Sequence, residues 1–300
     1  MNASENSSVW LHWSLNPGLL LLAAGLAAAY YWLAGGRWQP RGGLYVSALA
    51  LFIVIESSPL HYLGMQALFS AHMVVHVVVL LLCGPLLVLG LPPRPAPKPA
   101  RLLTAFSRWL SQHNWLAWGA GVGLMWLLHV PAVFEASFRG MANPLSPWPL
   151  LHAGGMLAAG ALFSWPLFGP RPEYHLHPLT GVIYLFTACV GCSLLGLLIT
   201  FAPADMYQHY ARAAWCGTAS LAPDYAANAW GLTPADDQQA AGLIMWVPCC
   251  LLYLSGCVFL LARYFSAPET ELYITTKPAQ PGHLTRPLWG IVPSPKERGD

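Results

Sequence analysis

Charge is scarce in this chain: Asp, Glu, Lys and Arg make up 9% of its 300 residues, against about 25% in soluble domains. So few charges cannot build a water-facing surface, so a soluble globular protein is excluded and a membrane protein in contact with the lipid bilayer is expected. The net charge of +2 offers no basic surface, and no nucleic-acid partner is expected. Lysine is rarer still. Lys98, Lys277 and Lys296 all fall outside the apolar runs, which excludes a retinal Schiff base. Cysteine is present but badly placed for disulfides: Cys83, Cys189, Cys192, Cys249, Cys250 and Cys257 lie inside apolar runs, and only Cys216 lies in a polar loop. Within the runs Glu56 is the single carboxylate.

What is there instead is apolar length and aromatic anchors. Hydrophobic residues make up 56% of the chain, with 14 Trp and 12 Tyr, residue types enriched where a membrane meets water. About 20 helical residues cross the hydrocarbon core, and runs near 17–34, 44–60, 67–91, 115–134, 148–168, 178–202 and 239–265 meet that length. The expected fold is all-α, a polytopic transmembrane bundle of seven spans. No Lys or Arg precedes the first run, so it is expected to remain as a span rather than be cleaved as a signal peptide. With the N-terminus outside and the C-terminus cytoplasmic, twelve basic residues (Arg37, Arg41, Arg94, Lys98, Arg101, Arg108, Arg171, Arg263, Lys277, Arg286, Lys296, Arg298) fall inside. Two, Arg139 and Arg212, fall outside, a strong positive-inside bias. The bundle is expected over 1–265 and a proline-rich, disordered cytoplasmic tail over 266–300. The inner connection "GLPPRPAPKPARLL" reads as extended, and the long outer loop 203–238 as a place for short interfacial helices.

The chemistry sits in "ALFSAHMVVHVVVLLL" (67–82). On a helix advancing about 100° per residue, His72 and His76 share one face, about 40° apart, and Cys83 returns to within about 20° of it. Two imidazoles in hydrocarbon need a common explanation, because each is costly there unless satisfied. Met125/His129, His152/Met156 and Met245/Cys249 repeat the i, i+4 spacing on three other runs. At about 1.5 Å per residue, His72, His129, His152 and Met245 all lie about 6–9 Å from the outer end of their spans, and their partners about 12–15 Å. Each such pair alone reads first as helix packing; the shared depth is what favours a ligand set. Imidazole, thioether and thiol together favour Cu(I). A zincin-like site is disfavoured because "HMVVH" carries Met73 where a catalytic Glu is needed. A haem would use only one of the two histidines. The helical "CVGC" (189–192) reads first as small-residue packing, with a thiol relay for copper as its alternative.

The segments "SSPLHYLGMQALFSAHMVVHVVVLLLCGPLLVLGLP" (57–92), "WLLHVPAVFEAS" (126–137) and "DQQAAGLIMWVP" (237–248) resemble the CtaG-type cytochrome c oxidase assembly proteins, seven-span bacterial membrane proteins linked to copper-containing haem–copper oxidases. The resemblance covers roughly 45–265 and points to His72, Met73, His76, His129, His152, Asp237, Gln238 and Met245. It implies a non-enzymatic assembly factor in the bacterial cytoplasmic membrane that holds Cu(I) near the outer face. The catalytic subunit of a haem–copper oxidase is the expected recipient and an extracytoplasmic copper chaperone the expected donor. His72 and His76 would be primary ligands, with His152 or His129 and Met245 completing the set, and Asp237 and Glu135 at the rim. Exchange with a recipient calls for an accessible site. A membrane redox protein binding haem or quinone, and a metal-free oxidase scaffold, remain as alternatives. The abundant cysteines and the proline-rich tail are not part of the family pattern.

Overall fold

The computed structural model describes residues 11–141, 147–203, 206–210 and 232–266, and every regular element among them is helical. Proline sets many of the boundaries. Six helices begin on one: α1 (Pro17–Leu33), α3 (Pro59–Gln66), α5 (Pro97–Gln112), α7 (Pro131–Met141), α9 (Pro178–Phe201) and α10 (Pro234–Ser266). At the first helical position proline's missing N–H costs nothing and its fixed φ suits the helix. Side-chain caps add to this: Asn16 accepts from Gly18 N–H at 2.8 Å and Ser58 from His61 N–H at 3.2 Å. The remaining helices are α2 (Gly42–Ser57), α4 (Phe69–Gly90), α6 (Asn114–His129) and α8 (Trp148–Phe168).

By length and composition α4, α8, α9 and α10 can each cross a membrane. Two bent pairs raise the number to six: α2 with α3, at 47°, and α6 with α7, at 78°. The run expected over 115–134 therefore breaks after His129, where Val130 takes an extended conformation ahead of Pro131. With 17 residues, α1 is apolar but shorter. The connection expected to be extended is so only as far as Ala96. From Pro97 it forms the amphipathic α5, which buries Leu103, Ser107 and Leu110 and leaves Leu102 and Trp109 exposed. The expected tail and most of the long outer loop lie outside the described residues.

The central element is α4, packed against α2, α3, α8 and α10, while α9 and α10 form a long antiparallel pair. A π turn at Val79–Cys83 interrupts α4 and another at Gly119–Gly123 interrupts α6; such turns accommodate one extra residue in an otherwise α-helical path. In α4 the turn lies where α8 crosses. A Cβ on Gly84 would lie 2.5 Å from the Gly160 carbonyl carbon, and one on Gly160 would collide with the Leu80 carbonyl oxygen. The two backbones touch here, which small residues alone permit.

Candidate functional site

The ends of α4, α6, α8 and α10 that gather on one side of the bundle carry the residues singled out above. From α4 come His72 and His76; from α8 comes His152. One ring nitrogen from each lies within 4.8 Å of the others. The ring centroids are 4.2 Å apart for His72–His76, 5.0 Å for His76–His152 and 6.0 Å for His72–His152. His72 and His76 are buried and His152 half-buried. Both ring nitrogens of His76 are buried without a hydrogen-bonding partner. An imidazole so placed forfeits the hydrogen bonds that water would give it. Polar atoms left in this state in a native interior call for an explanation, and a coordinated ion supplies one.

His129 is close to this trio but turned away from it. Its Nδ1–H donates to the Met125 carbonyl at 2.6 Å, and its Nε2 faces Met73 Sδ at 3.3 Å. A carbonyl only accepts, so the neutral ring has its proton on Nδ1 and a lone pair on Nε2. One helical turn deeper, Met73, Met125, Met156, Met245 and Cys249, together with His76, Val77, Leu80 and His129, line a cavity of about 10 Å³. Cys83 is fully buried but does not line it.

The trio is roofed rather than open. Phe134, Phe138 and Tyr210 stand 5.7, 5.3 and 6.4 Å from the His72 ring, centroid to centroid. Phe69 stacks on Tyr210 at 5.0 Å. Tyr207 donates to the His129 carbonyl at 3.0 Å and Tyr210 to the Gly64 carbonyl at 2.5 Å. Between them, His209 N–H donates to Glu135 Oε1 at 2.9 Å, and its ring lies on Phe138 at 4.0 Å. Burial holds the His209 ring below the ordinary imidazole range, against the opposing pull of the Met65 carbonyl and Glu135. Glu135, expected to attract a cation at the rim, thus accepts from the roof. Glu56 is buried and pairs with His61 at 3.3 Å, at the bend between α2 and α3.

A family model described as the cytochrome c oxidase caa3 assembly factor (CtaG) matches residues 20–267, from the first turn of α1 to one residue past α10. The chain belongs to this family. No curated protein and no solved structure matches it. In this chain the "DQ" at 237–238 caps two helices. The Asp237 carboxylate accepts from Phe69 N–H at 2.6 Å, from Ser70 N–H at 3.1 Å and from the Ser70 hydroxyl, closing the start of α4. Gln238 donates to the carbonyls of Ile199 and Ala202 at 3.1 and 2.8 Å, closing the end of α9. Open helix ends are costly in lipid. Asp237 thus fixes the helix that bears His72 and His76, and its oxygens are committed to that task.

Of the residues read from the sequence, His72, His76 and His152 come together; His129, Met73 and Met245 line the deeper cavity; Asp237 does neither. Sequence reasoning passed over His61, Gly64, Tyr207, His209 and Tyr210. Gly64 carried a readable signal, since it lies inside the family-like block 57–92. A Cβ there would lie 2.8 Å from His72 N and Cα, so only glycine lets α3 rest on the helix of the trio. The "CVGC" pair turns toward α10: Cys189 Sγ is 3.3 Å from Cys250 Sγ, and Cys192 is within hydrogen-bonding reach of Cys249.

Proposed function

We propose that this oxidase assembly factor holds Cu(I) between His72, His76 and His152 and passes it to the catalytic subunit of a haem–copper oxidase. An extracytoplasmic copper chaperone is the expected donor, and the protein acts as a carrier, not an enzyme. The observation that carries the reading is the convergence of three imidazoles in which His76 has neither ring nitrogen satisfied. The buried carboxylates Asp237 and Glu56 are engaged elsewhere, so the ligand set is neutral. Because the cost of burying an ion rises with the square of its charge, such a set favours a monovalent cation over a divalent one. Rings packed at 4.2–6.0 Å leave no room for a porphyrin between them.

Cells lacking the protein should still insert the oxidase subunits and their haems, while copper at the catalytic centre, and with it oxygen reduction, is lost. Added copper should restore part of the activity by mass action. Catalytic subunits absent from the membrane, with no rescue by copper, would instead establish a metal-free scaffold.

The same reading sets the protein in the bacterial cytoplasmic membrane with seven spans, α1 being the seventh, and with the trio near the extracytoplasmic face. Its support is the distribution of Lys and Arg, twelve against two. A reporter active only outside the cytoplasm should work when fused near Asn143 and fail near Pro97. Activity at Pro97 would invert the orientation.

A further inference from the structure

We propose a second, softer Cu(I) subsite one helical turn below the histidine trio, formed by the thioethers of Met73, Met125, Met156 and Met245 with His129 Nε2 and Cys249 Sγ. It rests on the copper reading above and extends it from one ion to two.

Three observations carry the subsite. The first is sulfur convergence. Four of the eight methionines of the chain, one each from α4, α6, α8 and α10, line a single cavity of about 10 Å³ together with Cys249. That volume is close to the minimum for one water, but a water needs two or more polar partners, and thioethers are poor ones. A soft monovalent cation is matched by thioether, thiol and imidazole together.

The second is the contact between His129 and Met73. With its proton on Nδ1 and committed to the Met125 carbonyl, the neutral His129 ring turns a lone pair toward the Met73 sulfur at 3.3 Å. Sulfur also presents lone pairs, and no hydrogen lies between the two atoms. Such a contact is weakly repulsive when empty and becomes favourable once a cation joins both atoms. A backbone carbonyl fixing the far nitrogen is the usual way a metal-binding histidine is oriented.

The third is continuity. His76, with both nitrogens unpartnered, borders this cavity and also belongs to the trio. The lining therefore joins two neighbouring binding places through one imidazole. Ordinary packing accounts for methionines in a core, but it supplies no reason for the lone pair of His129 or the bare nitrogens of His76.

The experiment uses the full chain in lipid nanodiscs, titrated with Cu(I) buffered by a competing chelator under reducing conditions, with X-ray absorption reporting the donor atoms. The unsubstituted protein should take up two Cu(I) per chain in a mixed nitrogen and sulfur environment. His72→Ala/His152→Ala should retain one ion with a sulfur-dominated shell. Met125→Leu/Met156→Leu/Met245→Leu, close to volume-conserving, should retain one ion with a nitrogen-dominated shell. Thermal melts of the metal-free variants check that each is folded, and Met245→Leu alone, with sulfur lost from the shell, serves if the triple variant does not fold. A single ion in a nitrogen-dominated shell for the unsubstituted chain, or a triple Leu variant that still binds two, overturns the deeper subsite and leaves the histidine site standing. A histidine variant that keeps both ions, beside a Leu variant that loses one, overturns the histidine site and leaves the deeper one.

Discussion

A chain carrying His72→Ala and His76→Ala should insert and fold but lose Cu(I) affinity at the trio by more than about 100-fold, since losing only an outer partner of a metal ligand already costs 10–100-fold. The two rings supply two of the three converging nitrogens, and His152 alone cannot replace them. The same change tests stability in the opposite direction. His76 brings two polar atoms into the interior and satisfies neither, so His76→Leu removes a desolvation cost of about 1–3 kcal/mol while filling the space. The metal-free His76→Leu protein should therefore melt at or above the temperature of the unsubstituted chain even though its copper affinity falls. A marked drop in melting temperature would mean that the ring is held by packing rather than kept for binding. His175→Ala and His177→Ala provide the control. They lie between α8 and α9 at the opposite end of the bundle, where the His175 ring already donates to the Gly169 carbonyl at 2.8 Å, and copper retention should be unchanged.

The second large effect belongs to the crossing of α4 and α8. Gly160→Leu should abolish the folded protein, because any side chain there meets the Leu80 carbonyl, a backbone atom that cannot swing aside. Overpacking in a core costs about 1–3 kcal/mol, and a clash with backbone belongs at or above the upper figure. Separating α4 from α8 also draws His152 away from His72 and His76, so material that survives should bind copper poorly. Gly155 lies on the same helix with nothing within 4 Å of its would-be Cβ. Gly155→Leu should match the unsubstituted chain in yield and melting temperature. Equal behaviour of the two variants, measured by membrane yield and thermal unfolding in detergent, would refute the crossing as a determinant of the fold.

These outcomes rest on features that differ in how far the sequence exposed them. The apolar runs at 148–168 and 178–202 coincide closely with α8 and α9, since length and hydropathy are local properties. His72 and His76 were legible as a pair because helical periodicity alone places them on one face, and equal depth in the membrane brought His152 into the set. The orientation of His129 was not legible. It depends on a hydrogen bond to its own helix and on which neighbour lies across the gap, neither of which its spacing encodes. Asp237 misled for a related reason: a carboxylate at the mouth of a bundle suits a cation and a helix N-terminus equally, and only the arrival of Phe69 beside it decides. The angular placement of Cys83 rested on a regular helix, and the π turn at Val79–Cys83 changes the advance per residue within a run that looks uniform. The roof was missed because Phe134 and Phe138, four apart on α7, and Tyr207 and Tyr210, three apart beyond α9, belong to two segments that only the fold brings together.

That π turn bears on how the histidine motif could be transplanted. The surplus residue lies between the imidazoles of α4 and Gly84, the glycine that seats the helix against α8. Each residue corresponds to about 100° of rotation in a regular helix. "HMVVH" grafted onto a straight helix that docks through a small residue at the same distance along the chain would point its rings about a quarter turn away from the neighbour meant to complete the site. The portable unit is the whole stretch from His72 to Gly84, and a designer who counts only the histidines would reproduce the ligands without their direction.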